Sequence, residues 1–282
     1  MVSIENKVIR KKGKKPIIYD VIYAKSFVKK PVVILCHGYM GFKDWGAWGL
    51  AGEEFAKNNF FFVKFNFSHN GGTMEQPIDF PDLNAFANNN FTHELEDIDR
   101  VIEHLKYSET YSQDLDFNNI FLIGHSRGAG TVLIKAFEDT RIKKVITWAG
   151  VSDFKKRFQL GTPEFYKWKK EGVIYGENSR TKQLMPHFFQ FFEDFKKNEA
   201  RFNIKNAVEN LEIPYLVIHG SNDSSVLPIE GENLFSWNKK NKIIRIKNAD
   251  HVFSSKHPWD SNILPKHLKK VVYLSIDFLK SN

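Results

Sequence analysis

Short runs dense in Val, Ile, Leu and Phe recur along the chain, separated by longer stretches whose apolar residues fall three and four apart. Strand-like and helix-like periods in that alternation predict βαβ units around a parallel sheet. The first 30 residues differ, with two strand-like runs over 2–9 and 16–23 meeting at Lys12-Gly13-Lys14, an antiparallel hairpin. The continuous apolar run 32–36 predicts a strand buried on both faces and ends in Cys36-His37-Gly38. A helix is expected over 44–58 with Asp44 as N-cap and Asn58-Asn59 as its end, followed by a strand over 60–67. Another helix begins at Thr92, carrying Leu95, Ile98, Ile102 and Leu105 at helical spacing. Strand 119–123, helix 126–139 and strand 144–148 come next. Strands 214–219 and 242–246 flank a helix starting near Pro228, and a helix over 265–279 closes the chain.

The alternation breaks once. About 60 residues separate the strand ending at Trp148 from the one starting at Pro214, far more than one crossover needs. Within this insert, 172–175 and 181–184 resemble a small hairpin around Glu177-Asn178, and 188–198 a Phe-rich helix. Residues 152–210 hold 12 of the chain's 41 aromatics, which fits a cap over a pocket or, alternatively, an insert that uses Phe to dock.

Composition narrows the class. At 282 residues with 42% hydrophobic and 26% charged side chains, the chain has ordinary globular usage, which excludes collagen-like, coiled-coil and disordered classes. The net charge is +8, of which residues 1–30 carry +7: nine basic side chains against Glu5 and Asp20. Those charges flank the hairpin strands, where lysines discourage edge-to-edge pairing, and do not form the aromatic-interleaved basic surface of a nucleic-acid binder. Neither nucleic acid nor membrane is therefore expected as a partner. The single cysteine, Cys36, rules out an intrachain disulfide, and its place in a central strand predicts an inert thiol. The N-terminus lacks the apolar stretch of a signal peptide, and no run approaches the length of a spanning helix, so a soluble cytoplasmic protein is expected.

The chemistry begins at Gly124-His125-Ser126-Arg127-Gly128, a G-x-S-x-G pentapeptide with a strand running into it and a helix out of it. A serine at that turn stands at the positive end of the helix, where a developing oxyanion is favoured. A serine hydroxyl needs a base and an orienting acid, in chain order Ser, Asp or Glu, His. Asp223, in the polar loop after strand 214–219, is the expected acid, and His251, after strand 242–246, the expected base. Asp153 is a second possible acid and His257 a second possible base, while His219 is read as strand-end packing. The expected oxyanion donors are the backbone N–H groups of Arg127 and Tyr39, the latter in His37-Gly38-Tyr39-Met40-Gly41. His69, Asp79, Asp82 and His93 are scattered through and beyond an Asn-rich loop over 68–90 without metal-ligand spacing, and Glu94, Glu96 and Asp97 read as acids loading the first turn of a helix.

With these features the chain resembles serine esterases of the α/β-hydrolase superfamily, and more narrowly the cinnamoyl/feruloyl esterase-like and dienelactone hydrolase-like branch. The resemblance implies one α/β-hydrolase domain over residues 1–282: a mostly parallel central sheet with helices on both faces, the N-terminal antiparallel hairpin, and a cap at 152–210 after the sixth strand. It implies hydrolysis of short-chain or aromatic acyl esters through an acyl-enzyme on Ser126, with a small-molecule ester as substrate and no cofactor or metal. A serine peptidase or amidase on the same scaffold, or a catalytically silent binding protein, are the alternatives. The serine at the elbow, where true dienelactone hydrolases carry cysteine, argues against their activity.

Overall fold

The computed structural model describes residues 1–281. Its centre is an eight-stranded sheet built from β1 (Val2–Ile9), β2 (Ile17–Tyr23), β3 (Lys30–Cys36), β4 (Phe61–Asn66), β5 (Leu115–His125), β6 (Ile142–Trp148), β9 (Tyr215–Gly220) and β10 (Lys242–Ile246), in the spatial order β1-β2-β4-β3-β5-β6-β9-β10. β1 and β2 pair antiparallel, and β2 joins β4 antiparallel; every pairing from β4 to β10 is parallel. The continuous apolar runs have a simple cause: successive side chains of the inner strands enter two separate cores. Val32, Ile34, Cys36, Ile120, Leu122 and Val217 face α3 (Phe91–Lys106) and α4 (Arg127–Glu138). Val33, Leu35, Phe121, Ile123, Ile146 and Ile218 face α1 (Trp48–Lys57) and α9 (Lys266–Lys280). A short α2 (Leu83–Ala87) interrupts the Asn-rich loop, and α8 (Pro228–Ser236) links β9 to β10.

The insert follows β6, as the break in alternation predicts. It holds a 3-10 turn (Lys155–Phe158), α5 (Pro163–Glu171), the hairpin β7 (Val173–Glu177) and β8 (Leu184–Phe188), α6 (Gln190–Lys197) and α7 (Ile204–Glu209). The second hairpin strand starts three residues later than its sequence pattern suggests. Phe154, Phe158, Trp168, Phe195, Phe202 and Ile204 enter the same hydrophobic cluster as the α3/α4 side of the sheet, so the insert shares the core of the fold.

Two polar expectations are corrected. α1 begins at Trp48, and its N-cap residue is Ala47 without a side-chain bond. Asp44 is instead drawn into a buried ion cluster, because Lys64 stands in the middle of β4 opposite Asp20 on β2. The Lys64 ammonium lies 2.5 Å from Asp20 and pairs with Asp44, and Lys43 reaches Asp20 at 2.8 Å. Burial alone would lower the Lys64 pKa, but Asp20 and Asp44 outweigh it and the net shift is upward. Of the three acids expected in the first turn of the helix, only Glu94 lies there; it and Asp97 are buried, and α3 is capped by Asn90. Asp97 accepts the Ser68 N–H and pairs with Arg100, leaving only Glu96 at the surface, against Lys14.

Candidate active site

Ser126 sits at the carboxyl end of β5 with φ 56° and ψ −120°, a positive φ that a side chain bearing Cβ avoids. Three contacts hold it there. The Ser126 N–H donates to Trp148 O at 2.9 Å, and Ser126 O accepts the N–H groups of Ala129 at 3.1 Å and Val151 at 3.2 Å. The close approach requires glycine on both sides: a Cβ on Gly128 would stand 2.5 Å from His37 O, and one on Gly38 would stand 2.8 Å from the Ser126 Cβ.

β9 and β10 run parallel beside β6, so the loops after them emerge at the same edge as the serine. The Asn222 N–H binds Ala249 O at 2.9 Å and ties the two loops together. There the Ser126 hydroxyl lies 3.0 Å from His251 Nε2, and His251 Nδ1 lies 2.8 Å from Asp223 Oδ2. The other carboxylate oxygen of Asp223 accepts the N–H groups of Ser225 at 2.9 Å and Val226 at 2.8 Å. Burial would raise the Asp223 pKa, but bonds from His219 and His251 overcome it and hold the carboxyl well below the usual range. Asp223 is thus an anion throughout the neutral range, able to keep the His251 proton on Nδ1 and leave Nε2 free to accept.

His219, expected as packing, does more than fill space. Its Nε2–H donates to Val226 O at 2.9 Å and stands 3.3 Å from Asp223 Oδ2, so the carboxylate oxygen that meets His251 has a second imidazole beside it.

The loop after β3 carries a device that the sequence did not signal. The His37 imidazole accepts the Phe67 N–H at Nε2, which puts its proton on Nδ1, and Nδ1–H donates to Gly38 O at 2.9 Å. Gly41 N–H donates to the same oxygen at 3.1 Å. In a planar trans peptide the carbonyl and the next N–H point opposite ways, so pinning Gly38 O also fixes the direction of Tyr39 N–H. Complete burial holds His37 down to about 4, so it keeps this neutral tautomer. Neither Tyr39 N–H nor Arg127 N–H has an acceptor among the described residues.

Side chains missed by sequence reasoning complete the surroundings. Glu94 accepts from Arg127 at 2.6 Å and from the Thr131 hydroxyl at 3.0 Å, which sets the Arg127 guanidinium over the Tyr39 and Phe191 rings. Tyr39 O–H donates to His187 Nε2 on β8 at 2.7 Å, linking the insert to the β3 loop. His125 donates from Nε2 to His251 O at 3.0 Å, and burial keeps its pKa near 3. A cavity of about 680 Å³ opens from Ser126 and His251 under the insert, lined by Phe91, Phe154, Phe158, Trp168 and Phe191. A second, of about 420 Å³, shares Ser126 and His251 with it.

No protein-family model matches the sequence, and no curated protein matches it. Solved structures do. The chain is similar to Est1E from Butyrivibrio proteoclasticus, with a TM-score of 0.72 at 15% identity over 98% of both chains. The form of that protein with ferulic acid bound gives 0.72 at 17% identity over 97% of both chains. A monoacylglycerol lipase from Paleococcus ferrophilus gives 0.62 at 16% identity over 89% of this chain and 95% of that one. The chain has the α/β-hydrolase fold.

In this α/β-hydrolase fold the rival residues fall away from the serine's relay. Asp153 accepts the Lys155 N–H at 2.7 Å in the turn that starts the insert and makes no bond to His251. His257 accepts the Gly46 N–H at 3.0 Å and packs on Phe42. Cys36 is fully buried, and burial with the nearby Glu94 charge raises its pKa, so little thiolate forms. Among the described residues no group of three or more His, Cys, Asp or Glu side chains could hold a metal ion, and no helix is long and apolar enough to cross a membrane.

Proposed function

We propose that the protein is a serine hydrolase that cleaves carboxylic esters through an acyl-enzyme on Ser126. His251 Nε2 takes the hydroxyl proton as Ser126 Oγ attacks the ester carbonyl. The negative charge on the former carbonyl oxygen is held by the N–H groups of Tyr39 and Arg127, at the positive end of α4. Collapse of that intermediate passes the proton from His251 to the departing alcohol. Water then enters, gives a proton to the same imidazole, attacks the acyl carbon, and releases the acid with Ser126 restored. Asp223 stabilises the imidazolium formed twice in each cycle. The observation that carries the reading is the continuous relay from Ser126 to His251 to Asp223, at 3.0 and 2.8 Å, with the serine held at positive φ.

The aromatic walls of the larger cavity suit an apolar or aromatic acyl group, and ferulic acid bound to Est1E supports a hydroxycinnamoyl acyl among the candidates. The experiment is a panel of acetyl, butyryl and hydroxycinnamoyl esters beside the matching amides. Ester kcat/KM should exceed amide kcat/KM, and Ser126→Ala should abolish both. Faster amide cleavage would make the enzyme an amidase on the same relay. Turnover unchanged in Ser126→Ala would refute the mechanism.

A further inference from the structure

The larger cavity is walled by aromatic rings, yet one guanidinium lines it. Arg127 follows the nucleophile in the chain and borders the cavity beside Ser126. Its Nη2 donates to Glu94 at 2.6 Å, and Glu94 is buried and also accepts from Asn89 Nδ2 at 2.9 Å and the Thr131 hydroxyl at 3.0 Å. The guanidinium carbon stands 5.3 Å from the centre of the Tyr39 ring and 5.9 Å from that of Phe191, so the group is packed against two rings and fixed at one nitrogen. Nε and Nη1 have no acceptor among the described residues. Neither is enclosed without a partner as Arg100 Nε is, so both stay open to the cavity that Arg127 lines. An all-carbon group filling that cavity would strip water from these N–H donors and leave them unpaired, whereas an oxygen beside them would replace the lost bond. The neighbouring charges decide what kind of oxygen. Arg127 is offset by Glu94 and Arg157 by Glu230, while Glu164, which also lines the cavity, has no basic partner within 4 Å among the described residues. No surplus positive charge remains there to draw an anion.

We infer that the Arg127 side chain sets the specificity of this site, selecting esters in which the group that enters the larger cavity carries a neutral acceptor oxygen, an ether, ketone or hydroxyl. The inference rests on the ester-hydrolase reading and deepens it. The group is the acyl or the alcohol part of the ester, and the same two donors serve either. The oxyanion contact uses the backbone N–H of Arg127 and the specificity contact its side chain, so a ratio of substrates separates the two roles.

The test uses the purified full-length enzyme and exchanges one CH₂ for oxygen at constant length. On the acyl side, p-nitrophenyl methoxyacetate, 3-methoxypropanoate and 4-methoxybutanoate are set against the butyrate, pentanoate and hexanoate. On the alcohol side, 2-methoxyethyl butyrate is set against butyl butyrate. Each value is divided by the rate of alkaline hydrolysis, which removes the intrinsic effect of the oxygen. At one position at least, the oxygen ester should give kcat/KM about tenfold or more above its carbon partner, although an unpaired oxygen in an aromatic pocket lowers it. The side that shows the gain identifies the group in the cavity. Arg127→Lys keeps a cation for Glu94 but loses the free N–H groups, and Arg127→Met combined with Glu94→Gln removes the ion pair without leaving one buried charge alone. Each should bring the oxygen-to-carbon ratio to one or below. No gain for any oxygen ester, or a gain that survives either replacement, would overturn the inference while p-nitrophenyl butyrate turnover keeps the hydrolase reading intact. A larger gain for methyl hydrogen glutarate over methyl pentanoate than for any neutral oxygen would show an anion site and equally overturn it. A readout independent of turnover is the NMR signal of the Arg127 Nε–H in Ser126→Ala protein, assigned by its loss when Arg127→Lys is added. 2-Methoxyethyl 3-methoxypropanoate, which carries an oxygen on both sides, should shift that signal and butyl pentanoate should not; the absence of that difference would also overturn the inference, even if no ester is cleaved.

Discussion

Replacing Asp223 with asparagine separates geometry from protonation. The carboxylate accepts on both oxygens: Oδ1 from the Ser225 and Val226 N–H groups, Oδ2 from His251 Nδ1. Asparagine keeps an oxygen for the two amides, so the loop stays folded, but presents an NH₂ to His251. Nδ1 must then accept, the imidazole proton moves to Nε2, and Nε2 can no longer receive the proton of the Ser126 hydroxyl 3.0 Å away. In a serine protease the same change lowers kcat by about 10⁴, and an effect of that order is expected here because the relay has the same three members. The assay is p-nitrophenyl butyrate turnover beside ¹⁵N NMR of the histidine side chains, which reports the tautomer, and circular dichroism as a fold check. Asp153→Asn is the control and should lose less than about twofold, since its carboxylate only closes a turn outside the relay. A kcat for Asp223→Asn within tenfold of the parent, with the tautomer switched, would refute the role assigned to the carboxylate.

Three further outcomes follow from contacts around the serine. Gly38→Ala places a methyl group 2.8 Å from the Ser126 Cβ; pushing the β3 loop away should cost on the order of 10² in kcat, typical for a lost oxyanion donor, which stopped-flow ester assays would measure. Glu94→Gln leaves the Arg127 guanidinium without its charge partner and should lower stability by about 3 kcal/mol in urea denaturation, and a change below about 1 kcal/mol would show the pair to be dispensable. His37 and His125 are held near 4 and 3 by burial, so the folded state keeps them neutral where the unfolded chain takes up protons. A histidine with a lowered folded pKa costs stability as pH falls below its unfolded value of about 6.5, so each should remove about 2 kcal/mol between pH 8 and pH 5, measurable as a lower urea midpoint. A midpoint independent of pH over that window would contradict their burial as neutral groups.

The strands and long helices were legible because burial on two faces leaves uninterrupted apolar runs, as at 32–36, and amphipathic helices leave a period, as at Leu95, Ile98 and Ile102. The nucleophile turn was legible for a similar reason: Gly128 and Gly38 are demanded by backbone approaches, and such demands write themselves into local sequence. What escaped were polar residues whose role depends on distant partners. Asp44 has the spacing of an N-cap, but Lys43 and Lys64 claim it; Glu94 stands where a dipole-loading acid would, but Arg127, 33 positions on, makes it a buried counter-ion. The same holds for His37, whose partner Phe67 N–H comes from the residue just after β4, and for His187, which meets Tyr39 across 148 positions. In the insert, Phe density revealed the α6 helix but not α5 or α7, because short helices docked on a shared core need no period of their own.

The central claim is that Ser126 forms the acyl-enzyme. Intact-protein mass spectrometry after incubation with an alkyl fluorophosphonate tests it most directly, with peptide mapping to locate the adduct. One label per chain on the peptide containing Ser126, abolished by Ser126→Ala and slowed by orders of magnitude in His251→Ala, is the predicted result. An unlabelled parent protein, or a label that persists elsewhere in Ser126→Ala at the parent rate, would contradict it.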